Sequence, residues 1–147
     1  MAFQTKITRA RFVYSPFTSE QMQSIGIAVL DSIQSRIKNG LNCDDAPAKA
    51  LKPGRNGKKG YPDYKTGRGL QSIRDWIWTG RTMRSMKVIS ANEHRAVIGF
   101  TDPHTDLVAH LNNLREKQFG VSPKDHQVLL KTILQTLRSS ISVRKAA

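Results

Sequence analysis

A chain of 147 residues can form one compact domain that buries roughly two-thirds of its unfolded surface, so residues 1–147 are read as a single domain. Its one cysteine, Cys43, cannot bridge within the chain, and its longest apolar run, Ile25–Leu30, is far short of the ~20 residues that span a bilayer. Lys and Arg number 24 against 11 acidic residues, a net +13 that favours an anionic partner, and the basic N-terminal stretch lacks the apolar core of an export signal. A disulfide scaffold, a membrane-inserted protein and a secreted protein are thereby excluded, and a reducing cytoplasm fits.

In chain order, residues 1–17 read as an extended N-terminal arm, with Phe3, Ile7, Phe12 and Tyr14 lacking a clear period before Pro16. A first helix is predicted from Thr18, which forms a capping box with Gln21. Met22, Ile25, Val29, Ile33 and Ile37 supply one apolar face, and Gly40 is the natural stop. Residues 40–69 hold six of the ten glycines and three of the six prolines, and read as a long basic loop. Such a loop is expected to be flexible in the free chain and ordered by a partner, since its like charges repel and it has few apolar groups to bury. Residues 70–78 are open between helix, from Leu70, Ile73 and Ile77, and strand, from the alternation of Trp76 and Trp78.

Met86–Ser90 and Arg95–Thr101 are β-branched-rich runs that predict an antiparallel hairpin over 86–101, its turn holding His94 and its Met86, Val88, Ala96, Ile98 and Phe100 facing the core. A second helix is predicted from the cap Asp102 and Pro103 to Gly120, with Leu107, Leu111 and Leu114 on one face. A third starts at Ser122, Pro123 and Asp125 and buries Leu130, Ile133, Leu134, Leu137 and Ile141. A frayed basic tail is expected over 142–147. The fold class is α+β: a small antiparallel sheet packed with about three amphipathic helices.

Residues 49–87 carry eleven basic and two acidic residues, nine of the thirteen net positive charges. Within them Lys49, Lys52, Arg55, Lys58, Lys59, Lys65 and Arg68 are the candidate contacts to nucleic-acid phosphates or to an acidic partner. Gly54–Gly60 is no phosphate loop, because the P-loop spacing and the Ser or Thr after its lysine are missing. Asp63-Tyr64-Lys65, with Asp44 or Asp45 upstream, has the residue types of a metal-dependent nuclease but no strand to hold them. His94, His104, His110 and His126 show no metal-ligand spacing, and no catalytic residue, metal site or cofactor is expected. Trp76, Trp78, Tyr61 and Tyr64 interleave with basic residues as base-stacking aromatics do, yet the Ile-rich surroundings of the tryptophans favour core packing.

Residues 70–134 resemble the phage virion-morphogenesis and tail-completion family. The likeness is carried by Thr79-Gly80-Arg81-Thr82-Met83-Arg84-Ser85-Met86 ahead of the hairpin, by Val97-Ile98-Gly99, by Ala109-His110, and by Phe119-Gly120-Val121-Ser122-Pro123-Lys124-Asp125 ahead of the last helix. The family's Pro-x-Arg before the phenylalanine is absent, and Arg115-Glu116-Lys117 stands in that region. The resemblance implies a non-enzymatic neck or head-tail connector protein of the virion. It would form a homo-oligomeric ring, touch other neck, head-adaptor and tail proteins, and could line the path of genomic DNA. The alternative is a small, sequence-nonspecific nucleic-acid-binding protein acting outside a particle.

Overall fold

A computed structural model of the chain describes residues 16–76 and 80–146, with side chains as far as residue 141. The arm proposed over 1–17 therefore lies outside the described residues except for Pro16 and Phe17.

Helix α1 spans Ser19–Lys38. Its start is the predicted capping box: the Thr18 hydroxyl accepts from the Gln21 amide at 3.2 Å, and the Gln21 side-chain oxygen accepts from the Thr18 amide at 2.9 Å. Its end is a Schellman motif, in which Gly40 takes φ 69° and donates to the Ile37 carbonyl while Leu41 donates to that of Arg36. Glycine is required there, because an L side chain in that conformation is strained and would also meet Ile73 at 3.1 Å.

The segment read as structureless holds a helix, α2 (Tyr61–Gly67), and a bridge between Leu41 and Pro47. Helix α2 begins where Pro62 fixes the first turn and the Asp63 carboxylate accepts from the Gly60 amide at 2.6 Å. Residues 70–76 form neither helix nor strand, and residues 77–79, with Trp78, lie outside the described residues. A five-residue helix, α3 (Arg81–Ser85), leads into the hairpin.

The sheet is that hairpin, β1 (Met86–Asn92) paired antiparallel with β2 (Arg95–Phe100), with a bulge between Val88 and Ser90. Asn92 closes the Glu93-His94 turn by accepting from the His94 and Arg95 amides. Helix α1 lies across the sheet and comes close because residue 26 is glycine: a Cβ there would stand 2.9 Å from that of Ala96.

Helix α4 (Pro103–Asn113) starts as predicted, with the Asp102 carboxylate accepting from the His104 amide, but it stops seven residues short of Gly120. There Asn113 turns back, its side chain bonding Gln118 and Phe119. Helix α5 (Pro123–Ala146) has the predicted Ser122 cap and runs through the residues read as a frayed tail.

The core is small. Val29, Leu30, Ile33 and Ile37 of α1 meet Met83 and Met86, and Trp76, Val88, Ile98, Phe100, Phe119 and Leu129 pack against them. Phe119 is the hinge of the aromatic part, with its ring 5.0 Å from Trp76 and 5.3 Å from Phe100.

A buried polar network fastens the two long helices. The Arg36 guanidinium donates to Asp125 at 2.9 Å and to the carbonyls of Leu41, Gln118 and Gly120. Asp125 also accepts from the Ser32 hydroxyl at 2.6 Å and from the Ser122 amide at 3.0 Å. Burial alone would raise the Asp125 pKa, but these donors and the Arg36 charge outweigh it and hold the carboxyl below the ordinary value.

Candidate assembly surface

The seven basic residues picked from the sequence do not act as one group. Lys65 is buried, 1% exposed, and its ammonium pairs with Asp75 and donates to the Ile73 carbonyl at 2.6 Å, so it is a structural cation with no access to phosphate. Lys49 is partly committed. Its amide is held at 3.0 Å by the Glu116 carboxylate and its ammonium donates to the Arg115 carbonyl at 3.2 Å.

Lys52, Arg55, Lys58, Lys59 and Arg68 are exposed, and three of them sit on one turn. Asn56 and Gly57 both take positive φ, 54° and 71°, and the Lys58 amide donates to the Arg55 carbonyl at 3.1 Å, the pattern of a type I′ turn. Its base is pinched by two glycines, since a Cβ on Gly54 would overlap the Lys58 carbonyl oxygen at 1.7 Å and one on Gly60 would overlap Gly54. The Asn-Gly pair, read in the sequence only as part of a failed phosphate loop, was the available signal for this turn.

The residue types of a nuclease are dispersed into structural work. Asp63 caps α2, Lys65 pairs with Asp75, and Asp45 caps α5, accepting from the Ser122 hydroxyl at 2.8 Å and the Lys124 amide at 3.0 Å. Among the described residues no three His, Cys, Asp or Glu side chains are grouped to hold a metal ion. Trp76 lies against the core and donates to the Gln118 side chain at 2.8 Å, while Tyr61 and Tyr64 are 45% and 54% exposed.

The apolar faces of the two C-terminal helices are largely uncovered, which for the last helix departs from the sequence reading. On α4 the inward residues are Thr105 and Ala109, whereas Leu107, Leu111 and Leu114 are 56%, 50% and 72% exposed. On α5, Ile133 and Leu137 are partly buried, but Leu130, Leu134 and Ile141 are 50%, 53% and 56% exposed. Helical spacing reveals that a face is apolar; it does not reveal whether this chain covers it.

Between these helices runs an apolar groove of about 720 Å³, floored by Val29, Ile33, Ile98 and Phe100 and walled by Ala109 of α4 and Leu129 of α5.

No protein-family model matches the chain, and no curated protein or solved structure matches it. Among the described residues no helix is long and apolar enough to cross a membrane.

Proposed function

We propose that this protein is a non-enzymatic structural subunit of a tailed-phage virion, a neck, head-tail connector or tail-completion protein that works in a homo-oligomeric ring. The observation that carries the reading is the row of large apolar side chains left half-exposed or more on α4 and α5: Leu107 and Leu111, with Leu114 just beyond them, and Leu130, Leu134 and Ile141. A subunit that buries those faces on neighbours regains the apolar contacts its small core lacks. The motifs that resemble the tail-completion family perform structural tasks that fit such a role: Phe119 fills the core, and Ser122 and Asp125 start and anchor the last helix.

The exposed turn bearing Arg55, Lys58 and Lys59 supports contact with phosphates along a DNA path, without base reading. That same turn favours the second reading, a sequence-nonspecific nucleic-acid-binding protein acting outside a particle.

Purified virions separate the two. The expected result is a fixed, ring-sized copy number of this chain at the head-tail junction by mass spectrometry and particle imaging, with unjoined heads and tails when its gene is disrupted. Normal infectious particles without the chain would refute the structural role.

A further inference from the structure

We infer that copies of this chain join head to tail, with the exposed α5 face of one copy seated on the exposed α4 face of the next. This rests on the reading of the chain as a ring subunit and names the two surfaces that make the ring.

The two faces have the same build. Leu107, Leu111 and Leu114 follow one another at steps of four and three, as do Leu130, Leu134, Leu137 and Ile141 at four, three and four. That alternation keeps apolar side chains on one seam and is the spacing by which one helix packs along another. On α4 the seam lies on the far side from the buried Ala109, because Leu107 and Leu111 are each two residues, about 200°, away from it. The groove walled by Ala109 and Leu129 separates the helices, so the seams are two patches.

Charge selects which patch meets which. The α5 seam is bordered by Lys124 and Lys131, both exposed, and the one acidic residue of that helix, Asp125, is buried against Arg36. Two α5 faces brought together would oppose rows of like charge. Helix α4 holds no Lys or Arg between Pro103 and Asn113, the nearest being Arg115 and Lys117 beyond Leu114, and it carries an exposed Asp106 on its groove side. A basic-bordered helix therefore meets less repulsion on α4 than on a second α5.

The area suffices. Six side chains at half exposure or more leave on the order of 100 Å² of apolar surface apiece. Burying about 600 Å² of apolar surface, in an interface of ordinary composition, corresponds to roughly 1,000 Å² in total, the lower bound of a specific association. Two unlike patches also leave each joined copy with one patch still open, so growth continues until a ring closes.

Full-length Leu111→Asp and Leu134→Asp test this in reducing buffer by sedimentation velocity, after circular dichroism has shown both to be folded. Wild-type protein should grow beyond the dimer with concentration, and each variant alone should stay monomeric. An equimolar mixture should form a one-to-one dimer and stop, because the intact α5 of Leu111→Asp meets the intact α4 of Leu134→Asp. A mixture that remains monomeric while wild type assembles would overturn the pairing, as would wild type that stays monomeric throughout. Binding of wild type to anionic vesicles through Leu134, without self-association, would give the face to lipid and equally overturn it. If an aspartate variant does not fold, Leu134→Gln and Leu111→Gln are read the same way. Association in solution is independent of incorporation into particles, so failure here and failure of the neck assignment are distinguishable.

Discussion

Arg36 and Asp125 show how much of this fold depends on single polar groups. Their side chains are 4% and 1% exposed, and the guanidinium ties α1 to three carbonyls as well as to the carboxylate. Replacing Arg36 with Met leaves a buried carboxylate without its cation, and a loss of about 3–5 kcal/mol is expected in urea denaturation. A loss well under that would mean that Ser32 and the Ser122 amide suffice to hold Asp125. A second carboxylate reports through pH. The hydrogen bond from Arg81, followed by bonds from Thr105 and the His104 amide, lowers the Asp102 pKa to about 2. Because the folded value lies below the ordinary one near 3.9, its stabilising contribution is complete above that pH and is lost as pH falls toward 2. Asp102→Asn should therefore melt below wild type at pH 7, and the difference should shrink between pH 4 and 2. A gap that stays constant over that window would remove Asp102 from the acid response. The caps at Asp102 and Ser122 were legible in the sequence, but the pairs Arg36–Asp125 and Arg81–Asp102 were not. Arg36 stands one residue from Ile37 on the inner side of α1, but its partner is 89 residues away, and periodicity carries no information about such pairs.

Elements with local start and stop chemistry were read well. Thr18 with Gln21, Gly40, Asp102 with Pro103, and Ser122 with Asp125 are signals confined to one or two turns, and the structure uses each of them. Helix α2 was missed because its own signals, Pro62 and Asp63, sit among glycines and lysines that suggest a loop. The buried face of α5 was misassigned for a different reason. Leu129 packs on the core and Ile133 is partly buried beside the groove while Leu130 and Leu134 face out, a rotation of about 100° that depends on where α1 lies. The burial expected for Leu134 is accordingly reversed, and Leu134→Asp should leave the monomer's melting temperature close to wild type. Gly40→Ala should behave oppositely, losing about 1 kcal/mol or more, because residue 40 has φ 69° and faces Ile73. Equal stability of Gly40→Ala and wild type would show that the end of α1 can be rebuilt without the left-handed residue.

At the level of the whole molecule, net charge is spread less evenly than composition implies. With Lys65 buried and Lys49 partly committed, five of the seven candidate residues stay exposed and are the contacts proposed for phosphate: Lys52, Arg55, Lys58, Lys59 and Arg68. Binding to duplex DNA should then weaken with salt at a log–log slope no steeper than about −4.5, and Arg55→Ser, Lys58→Ser and Lys59→Ser together should flatten it by about 2.7. Fluorescence anisotropy over a salt series measures both, and an unchanged slope in the triple variant would leave the turn as solvated surface.

The clasp between α1 and α5 also sets a timetable. Ser32 and Asp125 are 93 residues apart, and Gln21 reaches Ser140 across 119. At ordinary translation rates the apolar face of α1 waits roughly 5–20 s on the ribosome before the helix that completes it has been made. During that interval Ile25, Val29 and Ile33 have the hairpin as their main shelter, so a nascent chain stopped before Ser122 should be sensitive to protease and held by chaperones.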